Sequence, residues 1–162
     1  MVDLDPGVVA RIIVLVVLVI LSGFFSSAET ALTTVNKLRI RALTEEKSKR
    51  AIMVSKLIEN PSKMLSAILI GNNIVNLSAS SLATTLAIEY FQSIGAGVVT
   101  GILTIVILIF GEITPKSLAT TYAEKLSLFY APVILLLTYI LTPISFPLNI
   151  FSRGLLLLIP TD

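Results

Sequence analysis

Glu112 sits in ILIFGEITPKSLATT (Ile107–Thr121), where a run of hydrocarbon side chains ends in glycine and a carboxylate and then meets proline. A carboxylate there is doubly unfavourable: hydrocarbon does not solvate it, and the C-terminal end of a helix already carries negative dipole. Pro115 has no amide hydrogen, so the carbonyl of Gly111, four residues back, loses its helical donor. A freed carbonyl beside a carboxylate is half of a hard-cation site, of the kind built by broken helices in membrane transporters. The alternative is an ordinary helix end at a membrane surface, with Glu112 reaching water and Lys116 one turn away.

Two other stretches carry oxygen where hydrocarbon is expected. GNNIVN places Gly71, Asn72, Asn73 and Asn76 in the middle of an apolar run. An asparagine amide is costly in hydrocarbon unless it is satisfied, and three within five residues exceed what one interhelical hydrogen bond needs. Helical periodicity puts Ser66, Asn73, Asn76 and Ser80 on one face, with Asn72 at its edge. In SGFFSSAETAL, Ser22, Ser26, Glu29 and Thr33 share a face, and Gly23 beside them permits close approach of a neighbouring helix. Both sets also suit a plainer role as polar glue between membrane helices. Hydroxyls, carboxamides, a freed carbonyl and one or two carboxylates form an oxygen cage of low charge. Such a cage suits Mg2+, Ca2+ or Na+, and composition does not choose among them.

The rest of the sequence excludes most other chemistry. There is no cysteine and no histidine, which removes disulfides, thiolate or imidazole metal sites and serine–histidine catalysis. The aspartates, Asp3, Asp5 and Asp162, are all terminal, so no intramembrane aspartate pair exists. We therefore expect no enzyme. Twelve basic and ten acidic residues are too balanced to suggest nucleic acid. With 55% apolar residues, 14% charged and a mean hydropathy of +0.95, a chain of 162 residues cannot hide its apolar surface in one soluble core.

The expected architecture is all-α and integral to a membrane. Apolar runs at about 7–30, 64–89 and 95–115 are each long enough to span, since a span takes roughly 20 residues. The acidic start MVDLDPG and the absence of an A-x-A site argue that the first run is retained as a helix rather than cleaved. Eight of the 12 basic residues fall between Thr34 and Lys63, interleaved with apolar ones, as in amphipathic helices lying along a membrane surface. The positive-inside rule makes this segment cytoplasmic and the N-terminus external. Pro132, Pro143 and Pro147 cut the final apolar stretch into pieces shorter than a span, which suggests re-entrant or juxtamembrane helices over 117–158, with a fourth, kinked span as the alternative.

Taken in order, SGFFSSAETAL, LIGNNIVN and FGEITPKSLA resemble the signature stretches of the CorC / cyclin M (CNNM) transmembrane domain, and the resemblance covers nearly the whole chain. It implies a single domain of three transmembrane helices with juxtamembrane helices, a homodimer in the lipid bilayer of the plasma membrane, and Mg2+ export driven by Na+ entry. It also implies a bound Mg2+ ion facing Ser22, Ser26, Asn72, Asn73, Asn76 and Glu112, with Gly111 offering its carbonyl. From the residues themselves, Gly71 loosens its helix or admits a partner, Pro115 breaks its own, and Glu29 is either a residue coupling transport to Na+ or a solvated helix end. Members usually continue into a CBS-pair module that binds ATP, which residues 1–162 do not contain. The rival expectation is a dimeric membrane anchor or Mg2+-sensing module that transports nothing.

Overall fold

The computed structural model describes residues 5–156, apart from the side chains of residues 92–94. All of its elements are helical. The first, α1 (Pro6–Thr34), opens on Asp5, whose carboxylate accepts the Gly7 amide, with Pro6 in the first turn, where its missing N–H costs nothing. The basic segment forms two short helices, α2 (Lys37–Glu45) and α3 (Lys49–Glu59). Asn36 caps α2 by accepting the amides of Leu38 and Arg39, and Ser48 caps α3 by accepting that of Ala51. Between them Lys47 takes φ of 60°, the left-handed turn that folds α3 back toward α2.

Helical backbone then runs through α4 (Pro61–Ile107), but not as one straight rod. Thirty-six residues of straight helix would separate Asn76 from Glu112 by roughly 54 Å, yet their side chains are hydrogen-bonded at 3.0 Å. The chain therefore doubles back between two apolar arms, Pro61–Phe91 and Gly95–Thr121. The second arm is not uniform. It widens into a π-helical turn (Leu108–Ile113) and continues as α5 (Thr114–Thr121), with Pro115 in the first turn of α5. The break expected at Pro115 is thus a change of helical pitch, in which the Thr114 amide reaches back five residues to Ile109.

The last helix, α6 (Ala123–Leu156), has the length of the fourth-span alternative for 117–158 rather than that of short re-entrant pieces. Pro132, Pro143 and Pro147 lie inside one continuous helix of 34 residues rather than dividing it. Each proline removes a single amide donor. Along the same helix, Thr138 donates to the Ile134 carbonyl and Ser145 to that of Thr142, so hydroxyls share the backbone's hydrogen bonding. Four helical segments, rather than three, are thus long and apolar enough to cross a membrane: Pro6–Thr34, Pro61–Phe91, Gly95–Thr121 and Ala123–Leu156.

The apolar core lies where these segments meet the amphipathic pair. Phe25, Leu32, Ile40, Val54, Leu57, Met64, Ile68 and Ile134 form one buried cluster, so α2 and α3 are fastened to the bundle by their apolar faces while their lysines and arginines stay outside. Gly71 admits the ring of Phe25: a Cβ there would lie 2.5 Å from it. Phe25 is itself held edge-on by Phe24, which meets Tyr130 the same way. Gly71→Ala should therefore lower stability by about 1–3 kcal/mol, as overpacking does. Chemical denaturation in detergent should show the loss, and Gly71→Ala combined with Phe25→Leu should recover some of it.

Candidate cation site

Three elements converge on Glu112. From α1 come Ser22 and Ser26, one turn apart and both fully buried. Ser22 donates its hydroxyl to the Gly111 carbonyl at 3.2 Å. That carbonyl is the oxygen which Pro115 leaves without its helical amide donor. Contact this close requires glycine, because a Cβ on Gly111 would lie 2.8 Å from Ser22 Oγ. Gly23 does the same at the adjoining contact, where a Cβ would come within 3.1 Å of the Pro115 ring.

From the first arm of α4 come Asn72 and Asn76, also one turn apart and both half-buried. Asn76 donates its Nδ2 to Glu112 Oε1 at 3.0 Å. Phe25 against Gly71 sets the neighbouring residues, Ser26 and Asn72, at the same level of the α1–α4 contact. Among the described residues, the buried side-chain polar atoms with no hydrogen-bond partner are Ser26 Oγ, Asn72 Oδ1 and Asn76 Oδ1. Each is an oxygen: Asn76 is the residue bonded to Glu112, Asn72 stands one turn before it on α4, and Ser26 stands one turn after Ser22, which bonds Gly111. Buried acceptors left unpaired cost free energy unless a ligand completes them.

Other residues singled out in the sequence lie elsewhere. Of the face expected from Ser66, Asn73, Asn76 and Ser80, Asn73 and Ser80 are exposed, while Asn76 and the edge residue Asn72 are half-buried. Lys116 is not the partner of Glu112: its ammonium lies 3.8 Å from Glu29, tying α5 to α1 one turn beyond the serines. Glu29 is thus paired across the helix contact, with both side chains half-exposed. No cluster of three or more acidic residues occurs among the described residues. One carboxylate with several neutral oxygens is the donor set on hand, which suits a hard cation and disfavours zinc or copper. Sequence reasoning missed the Phe25–Gly71 and Asn76–Glu112 contacts, since both depend on how the arms cross.

The order of these three stretches has a counterpart in known proteins. Residues 13–160 match the model of the cyclin M transmembrane N-terminal domain. The chain belongs to that family. The CNNM-type chain is 42% identical over 144 residues to a UPF0053 protein of Haemophilus influenzae, covering 89% of this chain and 34% of that protein. It is 35% identical over 136 residues to the UPF0053 inner membrane protein YfjD of Escherichia coli, covering 84% and 32%. A DUF21 domain-containing chloroplastic protein of Arabidopsis thaliana is 35% identical over 144 residues, covering 89% and 22%. The chain thus spans about a third or less of the length of these relatives. CNNM domains form a family of transporters, not enzymes, associated with divalent cations and Mg2+ in particular.

The two serines should separate cleanly in a stability experiment without cation. Ser22→Ala removes the buried hydroxyl bond to the Gly111 carbonyl and should cost about 1–3 kcal/mol. Ser26→Ala removes a hydroxyl that has no partner and should cost nothing or slightly stabilise. Denaturant titration in chelator-treated detergent checks both.

Proposed function

We propose that this domain carries Mg2+ through the membrane as a homodimer, with Ser26, Asn72, Asn76 and Glu112 supplying its oxygen ligands. The observation that carries this reading is the set of three unpaired buried oxygens on the two helices that meet the Gly111–Glu112 turn. Mg2+ favours about six oxygens in octahedral arrangement and retains water readily. A single carboxylate leaves its charge only half compensated, so the ion binds weakly enough to leave again. The Asn76 amide now donates to Glu112, standing where positive charge is wanted. Turning that amide by half a rotation would bring Oδ1 to the ion and free Glu112 Oε1 at the same time. Ser22 and Gly111 hold α1 against the π turn, and Pro115 keeps the turn from closing into a regular helix.

By the positive-inside rule, the basic α2–α3 pair supports a cytoplasmic position for this side of the domain. The N-terminus is then external, and Mg2+ enters from within. Na+ moving inward would drive export, with Glu29 as the coupling residue once Lys116 releases it. Pairing of two copies is supported by Asn73, an exposed amide within an apolar span, because lipid alone would not satisfy it. The E. coli relative is named as an inner membrane protein, which supports a plasma-membrane location. In a longer protein, a C-terminal CBS pair binding ATP would regulate the cycle.

The competing reading, polar glue in a membrane anchor, is supported by the Ser22–Gly111 and Asn76–Glu112 hydrogen bonds. Flux measurements on proteoliposomes separate the two. Glu112→Gln and Glu112→Ala should abolish Mg2+ flux while the protein still elutes as a folded dimer. Wild-type flux from Glu112→Gln would remove Glu112 from the ion path.

A further inference from the structure

On the far side of the π turn from Asn76 lies a groove that the ion site does not use. It has a volume of about 550 Å3 and runs between α1, the π turn, α5 and the start of α6. Its walls are hydrocarbon and ring, including Phe110, Pro115, Leu118 and Leu126. Ser27 and Tyr130 also line it, but they are bonded to each other at 2.8 Å and ask nothing of an occupant. One end differs. There Lys125 and Tyr122 are both exposed, and among the described residues Lys125 has no carboxylate within ion-pair reach. Its neighbour Glu124 is held by Arg39 of α2 at 3.4 Å, which fixes this end at the level of the basic helices.

The groove thus starts at the basic belt and runs inward along α1. Ile20, at its deep end, lies about 10 Å along the helix from Ser27. A hydrocarbon slot with a lone cation and a tyrosine at its mouth has the polarity of a phospholipid: tail inside, headgroup at the interface. A zwitterionic headgroup brings its own cation beside the phosphate and would leave the Lys125 charge uncompensated, so charge complementarity selects a net-anionic one. We propose that the groove holds an acyl chain of one anionic phospholipid, with its phosphate on the Lys125 ammonium. The tail would lie against Phe110 and Pro115, the outer flank of the turn whose Gly111 carbonyl faces Ser22.

The chain has no tryptophan, so Leu118→Trp places a single reporter in the groove. In vesicles containing a fixed fraction of acyl-brominated lipid, its fluorescence should be quenched at least twofold more by brominated phosphatidylglycerol than by brominated phosphatidylcholine. Lys125→Gln in the same background should remove that preference. Leu38→Trp, on exposed α2, reports the general attraction of the basic belt for anionic lipid and should show a smaller preference that Lys125→Gln does not change. The proposal is overturned if the preference at 118 is no larger than at 38, or if it survives Lys125→Gln. It is equally overturned if neither lipid quenches at 118, which would mean that a second copy of the chain covers the groove.

Discussion

Everything at the candidate site depends on how closely α1 approaches its neighbours. Three glycines permit that approach, and each stands at a different contact: Gly111 under the Ser22 hydroxyl, Gly23 against Pro115, and Gly71 beneath the Phe25 ring. A methyl group at any of them would meet atoms at 2.5–3.1 Å, closer than packed side chains come. Without a hydrophobic drive between helices in lipid, such close packing together with interhelical hydrogen bonds is what holds a bundle. The same contacts bring the polar residues of α1 and α4 to Glu112. Packing and site are one arrangement.

The polar groups divide by whether they are paired. Ser22 with Gly111, Ser27 with Tyr130 and Asn76 Nδ2 with Glu112 are satisfied, and they account for helix association. Ser26 Oγ, Asn72 Oδ1 and Asn76 Oδ1 are buried and unpaired. Glue alone gives no reason for Ser26 or Asn72, because an alanine or leucine at those positions would avoid the desolvation cost. Oxygens that wait for a cation do give a reason. The low dielectric that penalises them empty also strengthens their hold on an ion once it has shed water.

Much of this was legible in the sequence. Apolar runs marked the first arm and the second, the basic interleaved segment marked α2 and α3, and the three polar stretches marked the family in which the chain belongs. Asn76 was legible on the polar face, but periodicity set Asn73 and Ser80 beside it and left Asn72 at the edge, because it cannot tell which face a neighbour covers. The π turn was foreshadowed by Pro115 only as a break. Its actual form depends on α1 pressing against Gly111. The continuity of α6 was hidden because counting lost amide bonds at Pro132, Pro143 and Pro147 omits the packing of Ala131 and Ile134 in the core. Lys116 pairing with Glu29 rather than Glu112 is a tertiary fact with no local signature.

The central claim is that the unpaired oxygens of Asn72, Asn76 and Ser26 belong to a divalent-cation site. Calorimetric titration of Mg2+ into the purified, chelator-treated protein tests it most directly, alongside Asn72→Leu in the same detergent. The account predicts saturable Mg2+ binding to the wild type that Asn72→Leu weakens at least tenfold while its denaturation midpoint stays at or above that of the ion-free wild type. Absence of saturable heat in the wild type, or equal binding by Asn72→Leu, would contradict it.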